Sequence, residues 1–510
     1  MKVVLVNPPK TCDDLSELAP PLGLLRLAAL VERQQHTATI VDFNLLWHTD
    51  PRFRRGGLLN RAEQVLLNLD GDVYGFTSMA IDSHVAIELA RRLKRSNPSA
   101  LMVLGGTHFS SIASHIRDHY PFIDHVVTGE GEGAFAALLG RLARAVGPHN
   151  QLCVLSNSPE PPAKQPLLSP AYHLVNTDLY FHLNPRRLVN VESGRGCRFR
   201  CKFCYSPSHY SSVSYRDVDA VIQELDTAAQ LGARELFFVD DNILNDPTHA
   251  IRLCEGIASA KLDLRWSCYA TFPQLEEKVI RAMALAGCDG IFTGIDAIGE
   301  TSARSFSKSH MPRASVFDAK LRVLADHNIR PTCAFLISPP SHACGSDISA
   351  TVEAAIRAKA RGAEIRINTL TLYNETEARL ASTSSWAYDD FKVGVLLDMP
   401  SELEANPLAR VSPEMYPFHA RYVPELEHRQ FISLAHCLFT LVYCLSDLFI
   451  ETPRPGEFCV RLAKRVLHHI GPLERIPKSD RRVVEYDAAK RLLLSSGSLE
   501  RGILEEVAVL

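Results

Sequence analysis

The chain shows no excess of positive charge, no internal repeat and no low-complexity tract. Its 510 residues carry 55 Lys and Arg against 58 Asp and Glu, a formal net charge of −3. No global field therefore draws it to nucleic acid or to an anionic membrane. The opening Met-Lys-Val-Val-Leu-Val-Asn-Pro-Pro is too short an apolar run for a signal peptide and is broken by prolines. With no export signal, the cysteines are expected to stay reduced in the cytoplasm, where metal binding is their commoner use. Long apolar runs are nearly absent. Residues 431–450 approach a membrane span in length, yet His436 and Asp447 interrupt them, and no cationic flank of the kind a spanning helix shows accompanies them. A buried helix is expected there, with His436, Cys437 and Cys444 as core residues. Apolar residues at 46% and charged residues at 22% suit a globular protein with a sizeable core, and the length suggests about three domains.

What is present is concentrated in one segment, Gly194-Arg-Gly-Cys-Arg-Phe-Arg-Cys-Lys-Phe-Cys-Tyr205. Cys197, Cys201 and Cys204 stand at spacing Cys-x3-Cys-x2-Cys, with no histidine or fourth cysteine beside them. Structural zinc takes four N or S ligands, usually as two separate pairs, and no partner pair stands at a suitable distance. Iron–sulfur clusters are held by thiolates, normally four. Three thiolates from one loop leave an iron of a 4Fe–4S cluster open to chelate a small molecule and pass it an electron. A zinc loop or chance proximity are the rival readings. The strand-like run Leu188–Ser193 leading into Gly194 and Gly196 argues against chance.

Residues 1–145 alternate strand and helix patterns. Lys2–Asn7, His36–Phe43, Asp72–Thr77, Ala100–Leu104 and His125–Thr128 read as strands, with helices such as Leu22–Glu32 and Val85–Lys94 between them. This predicts a parallel, doubly wound sheet with ligands at the strands' carboxyl ends. Ser156–Pro170, with five prolines, reads as a linker or surface strap. Alternation resumes with strands at Leu188–Glu192, Glu235–Val239, Arg265–Ala270, Gly290–Gly294, Thr332–Ile337 and Glu364–Thr371, and helices such as Asp217–Leu231, Leu275–Ala286 and Ser349–Arg361. Beyond about residue 400 the pattern is helical.

The cysteine segment resembles the signature of the radical S-adenosylmethionine (SAM) superfamily. The resemblance implies a partial (β/α)6 barrel in which Cys197, Cys201 and Cys204 hold a 4Fe–4S cluster, and the open iron binds the amino and carboxylate groups of SAM. It places Tyr205, Asp240, Asp241, Asn242, Gly294 and Asp296 at the cofactors. Phe237-Phe-Val-Asp-Asp-Asn242 matches the motif that holds the SAM amino group, and its Asp-Asp-Asn form is similar to relatives carrying a cobalamin domain. The rival reading of this motif is a polar turn opening the next helix. Gly294-Ile-Asp296 stands where the family often has Gly-Ile-Glu-Ser, with a carboxylate one methylene shorter. Phe335–Pro340 and Leu372–Thr376 depart from the usual strand endings, with only Tyr373 and Thr376 kept of the second. Tyr215 and Arg216 stand where relatives often carry an arginine; a charge pairing with a helix acid is the alternative.

The first 145 residues resemble the cobalamin-binding domain fused to many of these enzymes. The resemblance rests on Pro20-Pro-Leu-Gly-Leu24, Thr77-Ser78-Met79, Gly105-Gly106-Thr-His108-Phe-Ser110 and Gly129-Glu130-Gly-Glu132. Thr77, Ser78, Gly105, Gly106, His108, Gly129 and Glu130 are the implied corrinoid contacts. Asn7–Cys12 lacks the Asp-x-His-x-x-Gly that supplies a lower cobalt ligand in mutase-type proteins, and Asp82-Ser83-His84 lacks its glycine, so His84 is not expected to ligate cobalt. The fold class that follows is α/β: a Rossmann-like doubly wound cobalamin-binding domain (1–150), a linker (151–185), a radical SAM partial barrel (186–395) and a helical C-terminal domain (396–510). The implied activity is a cobalamin-dependent radical SAM methyltransferase, moving a methyl from SAM via methylcobalamin to a carbon of a small-molecule substrate. A cyclase, ring-rearranging or oxidising enzyme with the same cofactors is the alternative. The implied partners are that substrate and an external electron donor such as flavodoxin or ferredoxin, with no nucleic acid and no membrane span.

Overall fold

The computed structural model describes residues 1–9, 15–55, 57–79, 82–144, 153–156, 167–298, 314–337, 345–369, 428–450, 452–471, 476 and 480–495. The first sheet contains β1 (Lys2–Asn7), β2 (Thr37–Asp42), β3 (Val73–Thr77), β4 (Leu101–Gly105), β5 (His125–Thr128) and β6 (Cys153–Ser156), in the order β2-β1-β3-β4-β5-β6. Every pair is parallel. Near-continuous apolar strands such as Val3–Val6 are buried on both faces, as helices on both sides require. Val4, Val6, Tyr74 and Phe76 fill one face, and Val3, Leu5, Val73 and Val103 fill the other. The strand order reverses between β1 and β3, which places a ligand crevice at their carboxyl ends.

β6 lies inside the stretch read as a linker, and pairs with β5 from His125↔Cys153 to Thr128↔Ser156. Four residues ahead of a proline run are too few to show a period. The same stretch is packed further on: the Thr177–Leu183 helix, capped by Asn176, buries Tyr180 and Phe181. Tyr180 donates from its hydroxyl to Asp42 Oδ2 at 2.6 Å, beside an Asn7–Asp42 bond of 3.0 Å.

The second sheet holds β7 (Leu188–Val191), β10 (Glu235–Phe238), β11 (Arg265–Tyr269), β12 (Cys288–Asp296), β13 (Arg330–Leu336) and β14 (Glu364–Asn368) as consecutive parallel neighbours. Such an order is a partial (β/α)6 barrel, whose site lies at the carboxyl ends. Its helices carry ordinary start signals: Asp217 caps Val218–Gln230, and Asp246 with Pro247 opens Pro247–Ala260. Between β7 and β10, the short β8 (Gly194–Arg195) and β9 (Ser214–Tyr215) pair antiparallel and close the root of the cysteine loop. Neither was read from the sequence.

The helices His428–Ile450 and Pro455–Ile470 pack against the Gly345–Ala360 helix, Arg481–Ser495 packs on those two, and all three share the barrel's core. The window Ser433–Ile450 has mean hydropathy 1.7 and is long enough to cross a membrane, with 61% of it buried inside the protein. His436 meets the buried Glu485 carboxylate at 3.0 Å, and Thr440 donates to the same group at 2.7 Å. Cys437 is buried as expected; Cys444 is exposed, because the helix turns that face outward. Lys10–Cys12, Ser338–Pro340, Thr371, Tyr373 and Thr376 lie outside the described residues.

Candidate functional site

The cysteine loop leaves β8 and returns at β9. Gly196, at φ +82°, lies so close to the returning chain that a Cβ would meet Ser212 O at 2.8 Å; any other residue here would push the loop open. Cys197, Cys201 and Cys204 are all half-buried, none of them in a disulfide, and Cys204 N donates to Cys201 O at 3.0 Å. Burial, reinforced by the neighbouring Cys201, Asp241 and Cys197, pushes the Cys204 thiol up to about 12. A bound metal reverses that preference and holds thiolates. Among the described residues, no three Cys, His, Asp or Glu side chains converge as ligands of one metal ion do. Three thiols from one loop match in number the protein ligands of a 4Fe–4S cluster with one open iron, whereas structural zinc takes four.

What holds the loop comes from the turn after β10. Asn245 brackets Cys197: Nδ2 donates to Gly196 O at 2.7 Å, and Oδ1 accepts from Arg198 N at 2.9 Å. Asp241 accepts from Gly196 N and the Ser206 hydroxyl, both at 3.1 Å, with the Tyr205 hydroxyl at 3.5 Å. Asp240 is buried and takes both the backbone N–H and the hydroxyl of Ser193, at 2.8 and 2.7 Å. Desolvation overrides those two hydrogen bonds and raises its pKa to about 7. Asn242 is also buried, donating to Asn245 and Gln274. The side chains of Asp240 and Asn242, read as SAM contacts, are thus committed to the loop's scaffold. Asp241 is the partly open member of the three. Ser193, Asn245 and Gln274 were not found from the sequence.

The barrel wall beside the loop is aromatic. Tyr205 is 40% exposed, yet burial raises its phenol pKa, as in a group lining a concavity. Tyr269, 37% exposed, meets Phe237 and Phe292 edge-on at 4.9 and 5.3 Å. At the end of β12 the register slips between Gly294 and Asp296, and Asp296 is buried with φ +61°. A non-glycine residue held there is strained, a feature that concentrates at functional sites. Arg216 follows its alternative reading in a buried form: it pairs with Glu224 of the Val218–Gln230 helix at 2.8 Å.

The implied corrinoid contacts gather along the carboxyl edge of the first sheet. Gly106, at φ +99°, brings its Cα against Thr77, where a Cβ would lie 3.0 Å from Oγ1. Ser110 ties two strand ends, donating to Gly106 O at 2.7 Å and accepting from Gly129 N at 3.0 Å. Among the described residues, Met79 is 58% exposed and nothing stands within 4 Å of a Cβ placed on Gly129, which leaves room for a bulky ligand, and the buried Ser78 hydroxyl has no hydrogen-bond partner. His108 is buried just behind this edge. His84 is buried at the start of the Ser83–Ser96 helix, where desolvation lowers its pKa to about 4 and keeps it neutral. The two edges meet. Arg195 of β8 pairs with Glu130 at 2.9 Å and Glu132 at 2.6 Å in the turn after β5.

Two family models match the chain: the B12 binding domain over residues 12–139 and the radical SAM superfamily over residues 191–341. An uncharacterised methyltransferase of Pyrococcus horikoshii is 27% identical over 332 residues, covering 62% of this chain and 70% of that protein. The anaerobic magnesium-protoporphyrin IX monomethyl ester cyclase of Synechocystis is 22% identical over 348 residues, covering 64% of this chain and 67% of that protein. Among solved structures, the radical SAM methyltransferase TsrM of Kitasatospora setae, with cobalamin and a 4Fe–4S cluster bound, shares the fold. Its TM-score is 0.62 at 18% identity, over 91% of this chain and 99% of that one. The chain belongs to the cobalamin-binding radical SAM enzyme family, whose cofactors are cobalamin, a 4Fe–4S cluster and SAM.

Proposed function

We propose that the chain is a methyltransferase that places a methyl group from SAM on a carbon of a small molecule. The observation that carries this reading is the junction of the two carboxyl edges. A three-thiol loop and a shelf with open space at Gly129 are tied to each other through Arg195, Glu130 and Glu132. When bound, the cluster supplies an electron to SAM and cobalamin supplies a methyl carrier.

The chain's own part is positioning and exclusion of water. Cys197, Cys201 and Cys204 hold the cluster. Asp241, Tyr205 and the backbone of Gly294–Asp296 line the SAM side, with Asp240 and Asn242 keeping the loop in place from behind. Thr77, Ser78, Gly105, Gly106, His108, Gly129 and Glu130 form the corrinoid shelf. We assign residues 1–150 with β6 to the cobalamin domain, the barrel to 186–395 and the helical cap to 396–510. An external one-electron donor such as a flavodoxin or ferredoxin reduces the cluster.

The test is anaerobic incubation of the reconstituted, reduced chain with methyl-labelled SAM. S-adenosylhomocysteine is expected, with the label on a carbon of the product and a mass gain of one methylene. Formation of neither S-adenosylhomocysteine nor 5′-deoxyadenosine sinks the reading. The similarity to the Synechocystis cyclase supports a second reading, ring closure or oxidation without methylation; loss of product hydrogens with no label gained favours it.

A further inference from the structure

Two ion-pair ties cross between the B12 binding domain and the radical SAM domain, and they are reciprocal. Arg26, on the Leu22–Arg33 helix and only 2% exposed, sets Nη2 3.1 Å from Glu224 Oε1 and Nε 3.8 Å from Glu192 Oε2. Its Nη1 donates to Leu168 O at 2.7 Å. In the other direction, Arg195 reaches from β8 to the turn after β5. Nη1 donates to Glu130 at 2.9 Å, while Nη1 and Nη2 grip Glu132 at 3.1 and 2.6 Å. Nε and Nη2 also reach Glu192, at 2.8 and 3.1 Å. The guanidinium fork is therefore fully engaged, across two domains at once. Arg216 completes the network, donating to Glu192 O at 2.6 Å and Glu224 Oε2 at 2.8 Å.

Position makes this more than an interdomain staple. Arg195 stands two residues before Cys197 and pairs in the ladder that closes the cysteine loop. Glu130 and Glu132 belong to the turn that opens the Gly131–Ala143 helix, beside the open space at Gly129. His209, ending the short helix after the third thiol, sits within the fields of both Glu130 and Arg195. A rigid-body shift of either domain moves one end of the fork and strains both.

We propose that Arg195 is a positioning residue that fixes the spacing and orientation of the cysteine loop relative to the corrinoid shelf, through Glu130 and Glu132 on one side and Glu192 on the other. This rests on the two-cofactor reading above. The bland rival is that Arg195 only completes the root of its own hairpin. Glu132→Gln separates the two, because that change lies wholly in the first domain.

The reconstituted full chain, carrying cob(II)alamin and the reduced cluster, is compared by electron paramagnetic resonance as wild type, Glu132→Gln, Arg195→Gln and Arg195→Lys. A single well-defined magnetic interaction between the two centres is expected in the wild type. Glu132→Gln and Arg195→Gln broaden or abolish it at unchanged iron and cobalt content. Arg195→Lys lies between, since an ammonium can hold a carboxylate but not both sides of a fork. In the apo chain, hydrogen exchange over residues 194–204 is expected to quicken about tenfold in Glu132→Gln, the effect of losing one partner of a mostly buried pair. Unchanged interaction and unchanged exchange in Glu132→Gln overturn the proposal. So does iron loss in Arg195→Gln while Glu132→Gln behaves as wild type, which leaves Arg195 a builder of the loop alone. A chain that takes up neither cofactor fails the proposed function, and the apo exchange comparison still decides the positioning role.

Discussion

The carboxyl edges of the two sheets are built on opposite plans. After β10, nearly every polar side chain is used internally. Asp240 holds Ser193, Asn245 brackets Cys197, and Asn242 ties Asn245 to Gln274. After β3, β4 and β5 the turns are tied in part, through Ser110 and the Glu130 and Glu132 pairs, but they leave open ground: among the described residues the Ser78 hydroxyl has no hydrogen-bond partner, Met79 faces solvent and Gly129 borders open space. The first plan suits a cluster, whose ligands must be held in place by bonds that exist before it arrives. The second suits a large organic ligand that brings its own surface and donors. One edge is a cage and the other a shelf.

That contrast is broken or sharpened by separate loss of the two cofactors. Replacing Cys197, Cys201 and Cys204 together by alanine is expected to abolish bound iron while cobalamin binding persists, read by metal analysis and the visible spectrum. Parallel loss of both cofactors would mean the edges are not independent in construction. Asn245→Ala comes next. It strands Gly196 O and Arg198 N, costs about 1–3 kcal/mol in thermal unfolding, and lowers cluster retention with cobalamin affinity unchanged. Gly106→Ala forces a side chain into a left-handed position against Thr77, at about 1–3 kcal/mol. Cobalamin affinity is expected to fall about tenfold or more, the equivalent of about 1.4 kcal/mol, while iron content stays full.

Smaller effects test the chemistry of each edge. The Asp240 pKa, raised to about 7 by burial, means the folded state keeps a proton that the unfolded chain has already released above the ordinary carboxyl range. This group therefore makes stability fall as pH rises from that range through about 7. In Asp240→Asn that slope disappears, so the melting temperature of the variant gains on the wild type with rising pH. A gap that stays constant with pH contradicts the buried-acid reading. Ser78→Ala carries the smallest change and the most telling sign. Removing an unpartnered buried hydroxyl should leave the apo chain as stable or up to about 1 kcal/mol more so, while weakening cobalamin binding. Apo destabilisation of about 1 kcal/mol would mean the hydroxyl already has a partner.

The cage's ligands were legible in the sequence because they fall within eight consecutive residues, Cys197–Cys204. The strands were legible because apolar runs such as Val3–Val6 must be covered on both faces. The cage's supports were not. Asn245 meets the loop from 47 and 49 positions away, and Arg195 meets Glu132 from 63. Contacts of that kind are set by the register of β7 against β10 and by the docking of two domains, and no local pattern announces them. The Asp-Asp-Asn motif shows the same limit from the other side. Its residue types are right for a polar site, but only the fold reveals that Asp240 is taken up by Ser193 and Asn242 by Asn245 and Gln274, and that Asp241 is the partly open one. β6 escaped because four residues beside a proline run give no period.

The most direct test of the account is electron paramagnetic resonance of the anaerobically reconstituted, reduced chain, recorded with and without SAM and accompanied by cobalt analysis. The account predicts a 4Fe–4S signal that changes on adding SAM, because one iron is open to it, in protein that also retains cobalt. A cluster signal that SAM leaves unmoved, or iron that survives loss of all three cysteines, would contradict it.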